Sequence, residues 1–117
     1  MTYVTGCVAA VPAGNKEAFL AHAKIAAEVF RDFGALAVHE TWGVDVPEGE
    51  VTSMPMAVKA EPGEVVAFSW IIWPNREVAD AAMGSIMDDP RMNPAENPMP
   101  FDAKRMIFGG FETILEA

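Results

Sequence analysis

Two stretches of this chain are apolar on both faces of a strand, and that limits its fold more than any other feature. In Val65–Trp73, Val66, Phe68, Trp70 and Ile72 point one way, while Val65, Ala67, Ile71 and Trp73 point the other, together with Ser69. The closing stretch, from Met99 to Leu115, starts as a Pro-broken loop and becomes a second such strand over roughly Lys104 to Leu115. A strand of this kind must be covered on both sides. Helices supply one cover, and the second has to come from elsewhere.

The other elements follow from local signals. Tyr3 to Val11 is rich in β-branched and small residues and carries no charge, so it reads as a strand, ended by Pro12. Gly6 within it marks a bulge or a close backbone approach. Lys16 to Phe33 is the clearest helix: Phe19, Ala23, Ala26, Phe30 and Phe33 form one stripe, and Gly34 stands where a left-handed cap belongs. Leu36 to Val46 alternates as a strand, with Glu40 on the face of Leu36, Val38, Trp42 and Val44, and His39 on the other. Val51 to Pro62 reads as an irregular loop with one helical turn at Pro55 to Lys59, because proline lacks the N–H a central strand needs. Asn75 caps a second helix, Arg76 to Met87, with Val78, Ala79, Ala82 and Ile86 on its buried stripe. Asp88 and Asp89 at its C-terminus oppose the helix dipole and need partners. Gly109-Gly110 inside the last strand lets another group come close.

The order strand, helix, strand, strand, helix, strand predicts an α+β, ferredoxin-like βαββαβ fold, with a four-stranded antiparallel sheet and two helices on one face, as one domain over residues 1–117. The second face then needs a partner. A two-fold homodimer with sheets packed face to face, enclosing a barrel-like interior, supplies it. With 51% hydrophobic residues the chain is no disordered segment, and its net charge of -9 sets it apart from proteins of nucleic acids and anionic membranes. No apolar run reaches membrane-spanning length and the start has no basic, apolar leader pattern, so a soluble cytoplasmic protein is expected.

Several blocks resemble a known family: Asp89-Pro90-Arg91-Met92, the run Met99 to Met106, Gly109-Gly110-Phe111, and Val65 to Pro74 with Phe68-Ser69-Trp70. Together they are similar to the YbaA-like family, domain of unknown function 1428, over essentially the whole chain. The resemblance implies a dimeric α/β barrel and no established activity.

Motifs for chemistry are few. Two histidines and the single Cys7 show no metal-ligand spacing, and no cofactor motif is present. No metal and no cofactor are therefore expected. His22 lies at the margin of its helix stripe and reads as a packing or capping residue. The candidate site is an apolar interior with a few polar groups: Glu40, His39 and Arg105 as candidate catalytic residues, and Trp42, Ser69 and Trp70 as candidate ligand-binding residues. Glu40 interrupts an apolar face, so it is either paired with Arg105 as a structural ion pair or kept as a working base with a raised pKa. Arg91, Lys104 and Arg105 are expected to pair with Asp88, Asp89 and Asp102. Two functions remain open: a small-molecule-binding homodimer without catalysis, taking a small apolar ligand, and a cofactor-independent monooxygenase or isomerase of the antibiotic-biosynthesis-monooxygenase type.

Overall fold

A computed structural model describes residues Met1–Ala117. Four strands, β1 (Tyr3–Pro12), β2 (Ala37–Glu40), β3 (Glu64–Trp73) and β4 (Ile107–Glu112), form one antiparallel sheet in the order β2-β3-β1-β4. Three α-helices accompany it: α1 (Lys16–Asp32), the single turn α2 (Met54–Ala57) and α3 (Arg76–Ile86). The architecture is α+β. The helical turn α2 overlaps the one expected at Pro55 to Lys59 but starts one residue earlier, where Ser53 caps it by accepting from the Met56 N–H at 3.1 Å.

The helix ends are set by the expected residues. Gly34 has φ +112°, and a Cβ there would stand 2.8 Å from Val78 on α3, so both its conformation and its packing require glycine. Asn75 accepts from the Val78 N–H at 2.9 Å and caps α3. Asn15 precedes α1 without capping it; its side chain donates instead to the Pro100 carbonyl at 2.9 Å and ties down the long C-terminal loop.

Both helices lie on the sheet face that carries Ile71 and Trp73. There Ala26, Val29, Ala79, Ala82, Ile86 and Met92 close over Ile71 and Trp73. Trp73 is fully buried and its indole N–H donates to Thr5 Oγ1 at 3.0 Å. A second cluster on the same face joins Ala9, Val11 and Ala67 to Phe19, Trp42, Phe101 and Met106. On the opposite face, Val58, Val46 and Ala60 cover only the end near Ala10 and Val66. The rest of that face is open.

Two strands are shorter than their patterns predict. β2 ends at Glu40, although the Thr41 and Gly43 N–H groups still donate to Phe68 and Val66 carbonyls. From there the chain rounds the sheet edge: Trp42 packs on the helix side and Val46 on the other, and Val44 is left 94% exposed. β4 starts only at Ile107, because Asp102 accepts from the Lys104 N–H and coils Ala103–Arg105 into a 3-10 turn.

Candidate functional site

Antiparallel register sets the side chains of the middle of the sheet in rows. Glu40 pairs with Ser69, and Ser69 with Cys7. Paired residues share a face, so these three form a row on the helix side, between the two apolar clusters there. His39 pairs with Trp70, Trp70 with Gly6, and Gly6 with Gly109, which makes the matching row on the open face.

In the first row the Cys7 Sγ and Ser69 Oγ are 2.6 Å apart and share a hydrogen bond. Ser69 is buried. Burial pushes the Glu40 carboxyl up to about 7, with the Ser69 hydroxyl acting against the shift by stabilising the carboxylate. Glu40 sits at the exposed sheet edge, where solvent tempers this effect. Burial also raises the Cys7 thiol; the Ser69 hydrogen bond opposes that, and nearby Glu40 adds to it. A thiol so placed is kept protonated and is a poor nucleophile at neutral pH.

In the second row the His39 ring stacks on Trp70, with centroids 4.8 Å apart and planes 20° from parallel. Phe68 leans against Trp70 at 5.3 Å. Gly6 and Gly109 leave bare backbone beside Trp70, and the Phe111 ring folds over both. Around them Phe68, Ile107 and Phe111 are 40%, 43% and 60% exposed.

The structure thus divides the six candidates named from the sequence. Glu40, Ser69 and Trp42 face the helices, whereas His39 and Trp70 face the open side. They do not converge on one interior. Trp42 serves as packing: Phe19 lies 5.8 Å from its ring, and the Lys16 ammonium stands over it at 5.7 Å. The expected Glu40–Arg105 pair is replaced within the chain. Arg105 is held by both carboxylate oxygens of Glu64 at 2.7 and 2.8 Å, by Asp102 at 3.1 Å and by the Lys59 carbonyl at 2.9 Å. The side-chain hydrogen bonds from Arg105 hold Glu64 down to about 2. Arg105 is a clamp between the α2 loop, β3 and the start of β4, and Glu40 has no cation beside it.

The other expected pairings are met in part. Arg91 reaches Asp89 at 2.8 Å and Asp32 on α1 at 2.7 Å, so Asp89 finds its partner. His22 donates from Nδ1 to Asn97 Oδ1 at 3.0 Å, and the buried Asn97 donates to the Arg91 carbonyl. His22 is the packing residue its position predicts, a pin for the loop after α3. Cys7 was not among the candidates. Only the register between two strands 62 positions apart brings it to Ser69, and no local pattern carries that. No three His, Cys, Asp or Glu side chains gather as a metal would require, and no helix is long and apolar enough to cross a membrane.

Comparison with known proteins gives one consistent result. A family model described as "Protein of unknown function (DUF1428)" matches residues 2–103. The chain is 54% identical over 116 residues to the uncharacterized protein YbaA of Escherichia coli K12 and to that of Shigella flexneri, covering 99% of each chain.

Proposed function

This chain belongs to the DUF1428 family of proteins of unknown function, and from that premise we propose that it works as a homodimer joined through its open sheet face, with an apolar interior that takes up a small organic molecule. The strand order β2-β3-β1-β4 with α1 and α3 on one side is read as the ferredoxin-like arrangement, and the face-to-face pair as a dimeric α/β barrel.

The observation that carries this reading is the absence of charge on the open face. The chain has a net charge of -9, yet the strand residues on that side between the α2 loop and the sheet end are Val4, Gly6, Val8, Phe68, Trp70, Ile72, Ala37, His39, Ile107, Gly109 and Phe111. Two acidic copies repel wherever their carboxylates meet; this is the patch on which they can dock without doing so. It is self-complementary by composition, as a two-fold interface demands. Exposed Phe68, Ile107 and Phe111 contribute to the apolar area of a contact expected to exceed about 1,500 Å² in total.

The reading as a cofactor-independent monooxygenase or isomerase changes its base. Glu40 faces the helices, so proton abstraction in the interior would fall to His39, whose ring is fixed by Trp70. Binding without catalysis is favoured, because no second polar group stands beside His39 to steady a developing charge.

Sedimentation velocity at micromolar concentration tests the dimer. The wild type should run as a dimer and Phe68→Glu as a monomer. Met83→Glu, a similarly exposed residue on α3, should leave the dimer intact. A monomeric wild type sinks the proposal.

A further inference from the structure

The geometry points to a slot on the open face for a planar, uncharged aromatic molecule, floored by Gly6 and Gly109 and occupied by the protein's own Phe111 ring. The inference rests on the apolar-interior reading above and names the class of molecule that interior takes.

The floor is the unusual part. Glycine weakens a strand and is retained there when the backbone or a close neighbour demands it. Neither demand exists here. Gly6 and Gly109 are not among the glycines with positive φ. A Cβ at Gly6 would come no closer than 3.6 Å to any atom, and one at Gly109 no closer than 3.4 Å, in both cases to the Phe111 ring. Alanine would fit at either position. The two bare residues are direct partners across β1 and β4, so they open one continuous patch of peptide backbone rather than two separate gaps.

What lies on that patch is an aromatic ring. Phe111 approaches both glycines at once, and so shows that a flat ring seats there. Beside it the depression, lined by Val8, Phe68, Ile107 and Phe111, measures about 220 Å³. An apolar cavity of about 150 Å³ holds a benzene-sized ring, so with Phe111 swung aside a fused two-ring molecule fits. Trp70 adjoins Gly6 across the strand and offers a further aromatic wall. No lysine, arginine or carboxylate lines the slot, so a charged ligand would shed its hydration without compensation. Phe111 therefore acts as an internal competitor that occupies the slot until a better ring displaces it.

The test is a fluorescence titration of the full-length protein with 2-naphthol, with naphthalene-2-sulfonate as the charged comparator and sedimentation run on the same samples. Wild type should bind 2-naphthol, and the sulfonate at least about tenfold more weakly. Phe111→Ala should bind about tenfold more tightly if the ring vacates the slot in roughly a tenth of wild-type molecules. The double variant Gly6→Ala, Gly109→Ala should melt no lower than wild type yet bind about tenfold more weakly, because two methyl groups fill the floor. Equal affinities in all three proteins, or no uptake by any of them, overturn the slot while a dimer in the centrifuge leaves the interface standing. A monomer that binds in the predicted order overturns the interface and leaves the slot.

Discussion

Two adjacent glycines in β4 should respond to the same substitution with opposite signs. An alanine Cβ at Gly110 would overlap the Tyr3 hydroxyl and stand 2.7 Å and 3.0 Å from two of its ring carbons. The Tyr3 ring is not free to leave, since it packs against the core that holds Ile71 and Trp73. Overpacking of this kind costs about 1–3 kcal/mol. Replacing glycine by alanine returns about 0.4–1 kcal/mol by restricting the unfolded chain, where the native backbone accepts alanine. Gly110→Ala should therefore lose a net ~1–2 kcal/mol, or about 4–8 °C in Tm for a chain of this size. At Gly109 the nearest atoms are those of the exposed Phe111 ring at 3.4 Å, so Gly109→Ala should keep the gain and melt slightly higher. Thermal and urea unfolding at fixed protein concentration, followed by circular dichroism, measures both. Tyr3→Leu in the Gly110→Ala background should recover part of the loss, and the cycle gives the coupling directly. Equal melting temperatures for the two alanine variants, or a loss that Tyr3→Leu does not relieve, would refute the placement of Tyr3 over Gly110.

Three further outcomes are expected. Glu40 titrates near 7 when folded and near 4.5 when unfolded, so the folded state holds the extra proton and stability falls as pH rises between those values; Glu40→Gln should gain urea resistance over wild type at pH 8 and show no advantage at pH 4, and a difference independent of pH would count against the burial of that carboxyl. Glu64 is shifted the other way, to about 2, so its contribution is present above about 4.5 and lost as pH falls toward 2; Arg105→Met should flatten that part of the acid-unfolding curve, and an unchanged curve would mean the clamp is not what holds Glu64. Phe30 is half-buried and meets Trp73 edge-on at 6.4 Å, so Phe30→Ala should cost about 2–3 kcal/mol, below the upper range for fully buried aromatics, and an unchanged Tm would place Phe30 outside the core.

What could be read from the residues alone was whatever local chemistry decides. Gly34 and Asn75 act within a few positions and set the helix ends as read; the α1 stripe is met in part, since Ala23 and Ala26 are buried, but the fully buried Val29 lies outside the stripe as read and Phe19, Phe30 and Phe33 are only partly buried. Leu36 to Val46 misled because hydrogen bonding to β3 continues past Glu40 while the chain turns round the edge, so the alternation survives after the ladder has ended. The site was harder for a different reason. Alternation separates Ser69 from Trp70 and His39 from Glu40, but both faces of β3 are apolar, and no pattern on that strand says which face the helices take. The meeting of Cys7 with Ser69, or of Gly6 with Gly109, depends on register between distant strands, which is settled by packing and not by either stretch alone.

The row of Glu40, Ser69 and Cys7 has a consequence for how the molecule comes apart. By separating the Ile71–Trp73 cluster from the Ala9–Val11–Ala67 cluster, it leaves the helix side with two small cores instead of one. The only helix that enters both is α1, which places Phe19 in one and Ala26 and Val29 in the other. All-or-none unfolding then rests on β1 and β3, which run through both, and on the helical turn of α1 between them, around the exposed Ala21. A glycine at that position touches nothing in either core, yet it loosens the connection, and it should let amide hydrogens of the Phe19 end exchange through partial openings that spare Trp73.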